Sequence, residues 1–448
     1  MTTGAVRTGG DWIDRWDPED ESFWESTGKR IAWRTLWITT ANLTMAFVTW
    51  FVVSALVVRL PNVGFDLSTS QLFWLAAMPG LAGGTLRIIH TFLTPLFGTR
   101  KVVSISSTLL LVPLVGLFIA VRDPATPFWV LMVLAFLAGL GGGNFSSFMP
   151  STSLFFPKRL QGTALGLQAG IGNFGVSLVQ FVTPWIIGFA AFGALAGDGQ
   201  TLTKGDETSD IWLQNATFVW IPIVAVLSVL AWFLLKSVPV RANVREQMDI
   251  FRDKHTWWMT SLYVMTFGSF AGFSAAFPLL IREVYGGFEG GPDPLTYAFL
   301  GPLVGSAARV AAGPVSDRLG GARVTQVAGI GLLGSTVGVL FFLDPTTLDQ
   351  FPGFVTLMLG IFLFSGIGNA STYKQMPMIF PPRQASGVLG WTAAIAAYGP
   401  FIFSSLIGAV LGATGRPTGF FIGIAVFYAF NIGVNWWFYA RRGSEKPC

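Results

Sequence analysis

Two stretches decide the fold: GGGNFSSFMPSTSLFFPKRLQG, residues 141–162, and GIGNASTYKQMPMIFPPRQASG, residues 366–387. Laid over one another they match Asn144 to Asn369, Phe155 to Phe380, Pro157 to Pro382 and Gly162 to Gly387, each pair 225 residues apart. A second block repeats at almost the same spacing, with Arg87 and Arg309 and then Gly98 and Gly320 each 222 apart. Matched polar residues inside two apolar blocks point to an internal duplication, so the chain is read as two related halves.

Outward from these blocks, the 448 residues are 52% hydrophobic and only 11% charged. Mean hydropathy is +0.59. Soluble domains carry about a quarter charged residues, too many for this chain to be a cytosolic enzyme, a disordered scaffold or a disulfide-stapled secreted module. A hydrocarbon core of about 30 Å needs about 20 apolar residues per helix. Twelve stretches qualify: 35–58, 70–97, 101–121, 127–156, 162–190, 214–236, 255–280, 294–316, 323–344, 353–380, 386–412 and 418–440. Lipid offers no partner to unpaired backbone groups, so all twelve are expected to be helices. The fold class is an all-α polytopic membrane protein with two pseudo-symmetric six-helix halves. Its expected parts are a cytoplasmic segment 1–34, a first half 35–236, a linker 237–254, and a second half 255–448.

Charge supports the count. The even-numbered loops and the C-terminal tail hold Arg100, Lys101, Lys158, Arg159, Lys236, Arg241, Arg245, Arg252, Lys254, Arg318, Arg323, Arg383, Arg441, Arg442 and Lys446. The odd-numbered loops hold only Arg59, Arg122, Lys204, Arg282 and Arg416. Positive residues concentrate on the inner side, which predicts a cytoplasmic-membrane protein with both termini inside. The hydrophilic N-terminus has no apolar stretch with a small-residue cleavage site, and no signal peptide is read there. The odd loops are acidic, with Asp66, Asp123, Asp198, Asp206, Glu207, Asp210, Glu283, Glu289, Asp293, Asp344 and Asp349. That mouth is expected to repel an anion, less so under physiological screening.

Setting aside the end residues Lys101, Lys236, Arg323 and Asp344, the twelve stretches hold no carboxylate and three basic residues, Arg87, Arg309 and Lys374. Each costs about 2.5–3.5 kcal/mol at the bilayer centre on insertion scales, and arginine does not escape by losing its proton. The missing counter-charge is then expected to be a transported anion. Arg87 and Arg309 each lie eleven residues before a turn glycine, Gly98 or Gly320. At 1.5 Å per residue that is about 16 Å, roughly half the core thickness. The duplication would set the two guanidiniums at one depth on opposite walls of a central cavity, where their forks suit a planar oxyanion. Lys374 lies nearer the inner end and is assigned either to the anion path or to snorkelling.

Around these charges, GTALGLQAGIGNFG (162–175) spaces Gly162, Gly166 and Gly170 four apart. For Gly162 and Gly166 a helix-packing face is expected. Gly170 and Gly172 are read either as packing or as backbone exposed to ligand, and Asn173 supplies an amide. In TWWMTSLYVMTFGSF (256–270), Tyr263 and Phe267 share one helical face. Tyr263 offers a hydroxyl to an anion, although packing is the commoner use of such a stripe. His90 is expected to make a polar helix contact, with proton handling as the alternative. Cys448 is the one cysteine, and His90 and His255 are the two histidines. No metal centre, cofactor or nucleophile–base pair is read, and no enzyme activity is expected.

The loop GPVSDRLGGAR (313–323) resembles the loop signature of the major facilitator superfamily between the eighth and ninth helices. The resemblance implies a gating clasp at Asp317 and Arg318; the corresponding first-half loop, PLFGTRKV (95–102), lacks the Asp-Arg pair. The Arg87 region, residues 142–177 and YVMTFGSFAGFSAAF (263–277) together resemble the nitrate/nitrite porter family of that superfamily, over nearly the whole chain from WDPEDESFW (16–24) onward. This implies Arg87 and Arg309 as anion ligands, Phe145 and Phe267 as rings sandwiching the anion, and Asn173 and Tyr263 as hydrogen-bond donors. SGVLGWTAAIAAYGPF (386–401) is poorer in glycine than its fifth-helix counterpart, and Lys374 departs from the family pattern. The implied function is secondary transport of nitrate and nitrite by exchange, with nitrate–proton symport or carriage of another small oxyanion as alternatives. The expected partners are these anions and the lipid bilayer, with no nucleic acid, and the expected state is a monomer.

Overall fold

The computed structural model describes residues 11–204, 207–238 and 249–448. Most of the expected linker, residues 239–248, and the start of the N-terminal segment, residues 1–10, lie outside the described residues.

Among the described residues, twelve helices are long and apolar enough to cross a membrane, and they follow the twelve expected stretches in order. They are α1 (Glu21–Leu56), α2 (Thr69–Thr91), α3 (Leu93–Ala120), α4 (Phe128–Ser153), α5 (Lys158–Ile186), α6 (Asn215–Leu234), α7 (Lys254–Tyr285), α8 (Pro294–Leu319), α9 (Gly321–Phe342), α10 (Leu348–Ile379), α11 (Gly387–Thr414) and α12 (Thr418–Ala440). Helical backbone continues from α2 to Gly98, where φ +77° breaks it. The matching break between α8 and α9 is at Gly320, φ +90°. A positive φ costs little only for glycine, so both repeat-related turns carry one.

α1 starts earlier than expected. Asp20 caps it, accepting from the backbone N–H groups of Ser22 at 2.9 Å and Phe23 at 3.2 Å. The added turns bury Trp24 with Ile13 against Phe155 and Phe156, and Glu19 accepts from the backbone N–H of Lys158 at the start of α5, at 2.9 Å. The N-terminal segment is thus packed onto the even-loop face of the first half. An antiparallel hairpin, β1 (Gln200–Lys204) and β2 (Glu207–Ile211), stands in the loop between α5 and α6, with Gln200 opposite Ile211.

Burial separates inner from outer helices. In the most apolar stretch of α7, 94% of residues are buried, against 28% in α6. α6 of the first half and α9 of the second present exposed apolar side chains such as Phe233 and Phe341, as a surface facing lipid does. The two halves meet on the odd-loop side. There Arg59, after α1, pairs with Asp293 at the start of α8. The hydroxyl of Thr69 on α2 donates to Glu283 on α7 at 3.0 Å, and Gln180 on α5 donates to the Ser274 carbonyl on α7 at 2.8 Å.

The even-loop side is parted. Along α5, a Cβ at Gly170 would meet Val310 of α8 at 2.7 Å, but at Gly166 and Gly162 it would meet nothing within 4 Å. Gly313, further along α8, likewise faces open space. The α5–α8 seam therefore closes at Gly170 and gapes from there to the even-loop face. This corrects the expectation of a packing face at Gly162 and Gly166. The close approaches fall instead on the next residues of the run, where a Cβ at Gly170 would press on Val310, one at Gly172 on Leu43 at 2.9 Å, and one at Gly175 on the Thr44 carbonyl.

Candidate functional site

Arg87 of α2 is wholly buried in the middle of the molecule. Its Nε donates to the Gly142 carbonyl on α4 at 2.9 Å, and its Nη1 to the Ala393 carbonyl on α11, across the two halves, at 2.7 Å. The second acceptor is explained by the local fold. α11 is interrupted at Ala397 and Tyr398, and the Ala393 carbonyl lies in the last turn before the break, where its two lone pairs take both the Ala397 N–H at 3.2 Å and the guanidinium. A cation is also favoured there by the helix dipole. Nη2 is buried with no partner.

Aromatic rings line the guanidinium. Its Cζ lies 4.6 Å from the Phe145 ring centroid, 5.1 Å from Phe267 and 5.3 Å from Trp50, within the range where ring quadrupoles stabilise a cation. Trp50 is fixed by donating from Nε1 to the Pro79 carbonyl at 2.9 Å. Phe267 sits in a π-helical turn, Val264–Gly268, a local irregularity that recurs at functional sites. The Tyr263 ring stacks on Phe267, with centroids 5.5 Å apart and 12° between planes.

Arg309 of α8 faces the same space and is 7% exposed. Its Cζ lies 6.0 Å from the Tyr373 ring, it is within hydrogen-bonding reach of the Tyr263 hydroxyl, and its Nη1 has no partner. The ionisable groups acting on Arg87 are Arg309, Tyr263 and Tyr373, with no carboxylate among them. Among the described residues neither arginine forms an ion pair. Asn173 on α5 is 1% exposed, and both its amide atoms lack partners. Two cations, several unpaired donors and a wall of π faces have the chemistry to receive a small planar anion.

Of the residues expected here, Arg87, Arg309, Tyr263, Phe145 and Phe267 come together. Gly170 and Gly172 serve helix contacts, as described above, because their missing side chains admit Val310 and Leu43. Lys374 is elsewhere: its Nζ pairs with Asp317 at 2.5 Å, with the two side chains 44% and 58% exposed. Its charge is answered within the protein, which corrects its assignment to the anion path. The clasp also changes partner, since Asp317 holds Lys374 of α10 while Arg318 is exposed and enters no ion pair among the described residues. His90 makes the polar helix contact, its Nδ1 lying 2.9 Å from the Ser147 hydroxyl. Trp50, Tyr373 and the Ala393 carbonyl were missed; the only signal for Tyr373 was its four-residue spacing from the duplicated Asn369.

Residues 38–373 match the family model of the Major Facilitator Superfamily. The chain is 70% identical over 440 residues to a probable nitrate/nitrite antiporter, NarK2, of Thermus thermophilus, covering 98% of this chain and 99% of that one. It is 38% identical over 458 residues to the nitrate/nitrite transporter NarU of Salmonella typhimurium, covering 97% of each. Among solved structures, a bacterial homologue of the human lysosomal transporter Spinster, inward-facing and occupied, matches with TM-score 0.66 at 12% identity over 90% of this chain and 95% of that one. The duplicated helices, the buried arginine pair and these likenesses agree: the chain belongs to the nitrate/nitrite porter family of major facilitator secondary transporters.

Proposed function

We propose that this chain exchanges nitrate for nitrite across a cytoplasmic membrane by rocker-switch alternating access. The observation that carries the reading is the pair of buried guanidiniums, Arg87 and Arg309, with unpartnered N–H groups and, among the described residues, no carboxylate paired with either. Both relatives above carry names specifying nitrate and nitrite, and a three-oxygen planar anion suits two forks between flat rings. Arg87 and Arg309 bind the anion, Phe145 and Phe267 cover its faces, and Asn173 and Tyr263 donate to its oxygens. Both halves of the site lie in one chain, so a monomer suffices.

Exchange follows from the charges. Two like charges at one cavity repel, and a low dielectric strengthens the repulsion. Closing the site empty would bring them nearer with nothing between them; an anion removes the penalty and permits the switch. With the termini and even loops cytoplasmic, the parted α5–α8 seam opens inward. Counterflow in proteoliposomes tests this. Nitrite-loaded vesicles take up nitrate without a pH gradient, whereas strict dependence on such a gradient would establish proton coupling and refute exchange.

A further inference from the structure

We propose that Asn369 of α10, with the Ser306 hydroxyl of α8 beside it, forms an additional donor set for the anion on the Arg309 side of the cavity. This rests on the oxyanion reading above and deepens it. α8 and α10 touch at two levels. At the first, a Cβ on Gly366 would run into the Gly305 carbonyl oxygen, so the backbones abut. At the second, Arg309 reaches the Tyr373 ring. Asn369 lies between, three residues past Gly366 and four before Tyr373, and the three share about 60° of the helix surface. Ser306 and Arg309 are three apart on α8 and neighbour one another.

Asn369 and Ser306 are fully buried. Neither amide atom of Asn369, nor the Ser306 hydroxyl, nor Nη1 of Arg309 has a partner. The other buried hydrogen-bonding side chains of this part of α10 are satisfied. Ser365 donates to the Phe362 carbonyl at 2.9 Å, Ser371 lies 2.7 Å from Thr325, Thr372 donates to the Gly368 carbonyl at 2.7 Å, and Gln375 donates to Thr325 at 2.6 Å. Asn369 is the exception. A buried amide left unpaired is costly, and unpaired groups clustered on one helix seam call for a polar occupant. Its chemistry is set by the donors: amide N–H groups, a hydroxyl and a guanidinium, with no carboxylate, select an anion over a cation.

Nitrate has three oxygens and nitrite two. Arg87 and Asn173 approach from the first half, so a donor on the Arg309 wall serves the oxygen that nitrite lacks. Loss of the Asn369 amide should therefore weaken nitrate more than nitrite.

The test is calorimetric titration of the purified full chain in detergent with sodium nitrate and sodium nitrite, alongside thermal melts. Asn369→Ala and Asn369→Ser are expected to weaken nitrate about tenfold and nitrite less than about threefold, as loss of one hydrogen bond to a charged ligand implies. Asn369→Asp supplies a carboxylate beside Arg309. It is expected to raise the Tm of the anion-free protein and abolish the rise in Tm that nitrate produces. Asn431→Ala, which removes a buried amide already donating to the Phe427 carbonyl, is expected to lower Tm with the nitrate-to-nitrite ratio unchanged. Equal weakening of both anions by Asn369→Ala, no weakening of either, or an Asn369→Asp protein that melts earlier yet keeps its nitrate shift would each overturn the proposal. Wild-type protein that binds neither anion would instead refute the reading of the whole site, and this proposal with it.

Discussion

Nη1 of Arg87, in the first half, donates to the Ala393 carbonyl of the second half at 2.7 Å. The side chain proposed to hold the anion is thus also a mid-depth link between the moving halves. Two of its five N–H donors are engaged by backbone, and Nη2 has no partner. Arg309 is differently placed, with its Nη1 free and a tyrosine ring beside it.

The two arginines should therefore respond differently to lysine. Lysine keeps the charge and loses the fork, so Arg87→Lys and Arg309→Lys are both expected to weaken nitrate binding by at least about tenfold, or about 1.4 kcal/mol. Only Arg87→Lys should also lower the Tm of the anion-free protein, because it alone gives up hydrogen bonds to Gly142 and Ala393. Titration and melting curves on the two variants check both parts. Equal melting temperatures would show that the backbone bonds contribute nothing measurable.

The Asp317–Lys374 pair has both side chains substantially exposed, and exposed pairs contribute about 0–1 kcal/mol. Lys374→Met is therefore expected to leave nitrate affinity within about twofold of wild type, while counterflow rates change if the pair must break or re-form during the switch. A tenfold loss of affinity would restore Lys374 to the anion path.

Arg59–Asp293 and Thr69–Glu283 tie the halves together on the odd-loop side, and Asp344 holds Arg416 at 2.7 Å. Some of the acidic residues at that mouth are therefore neutralised or bonded in this state, which softens the repulsion expected of them. Asp293→Asn would leave Arg59, whose side chain is 11% exposed, facing a neutral partner, and should favour opening on this side. Ser177 donates to the Phe299 carbonyl on the same seam at 3.0 Å and is 5% exposed. In a Cys448→Ser, Ser177→Cys background, an impermeant maleimide is expected to label residue 177 several-fold faster once Asp293→Asn is added. Unchanged labelling would remove the ion pair from the gate.

The sequence made the helix count and the arginine pair readable for one reason: a membrane penalises uncovered backbone and unpaired charge severely, so both leave long or rare signatures. What it hid was contact. Lys374 looked unpaired because the eighth stretch was ended at residue 316, and α8 runs on to Leu319, bringing Asp317 under Lys374. Trp50 and Tyr373 are aromatic residues in apolar helices, where composition does not separate a site wall from packing. The β1–β2 hairpin does have a signal, Gly205–Asp206 between threonine-containing runs, a composition typical of tight hairpins, but it is short and weak beside the helical patterns.

Glycine spacing misled most, because small residues read alike whether a neighbouring helix is against them or has moved away. Gly162 and Gly166 face open space, while Gly170, on the same stripe, touches Val310. Closing the even-loop side would bring α8 onto the rest of that stripe, and a large side chain there would obstruct it without touching the arginines. Gly166→Leu, which the open structure accommodates without a clash, is therefore expected to keep nitrate affinity within about threefold and to lower counterflow by at least about tenfold, because the switch fails and binding does not. Titration in detergent and counterflow in liposomes separate the two quantities. Near-normal exchange by Gly166→Leu would mean that α5 and α8 do not meet along this face in any state of the cycle.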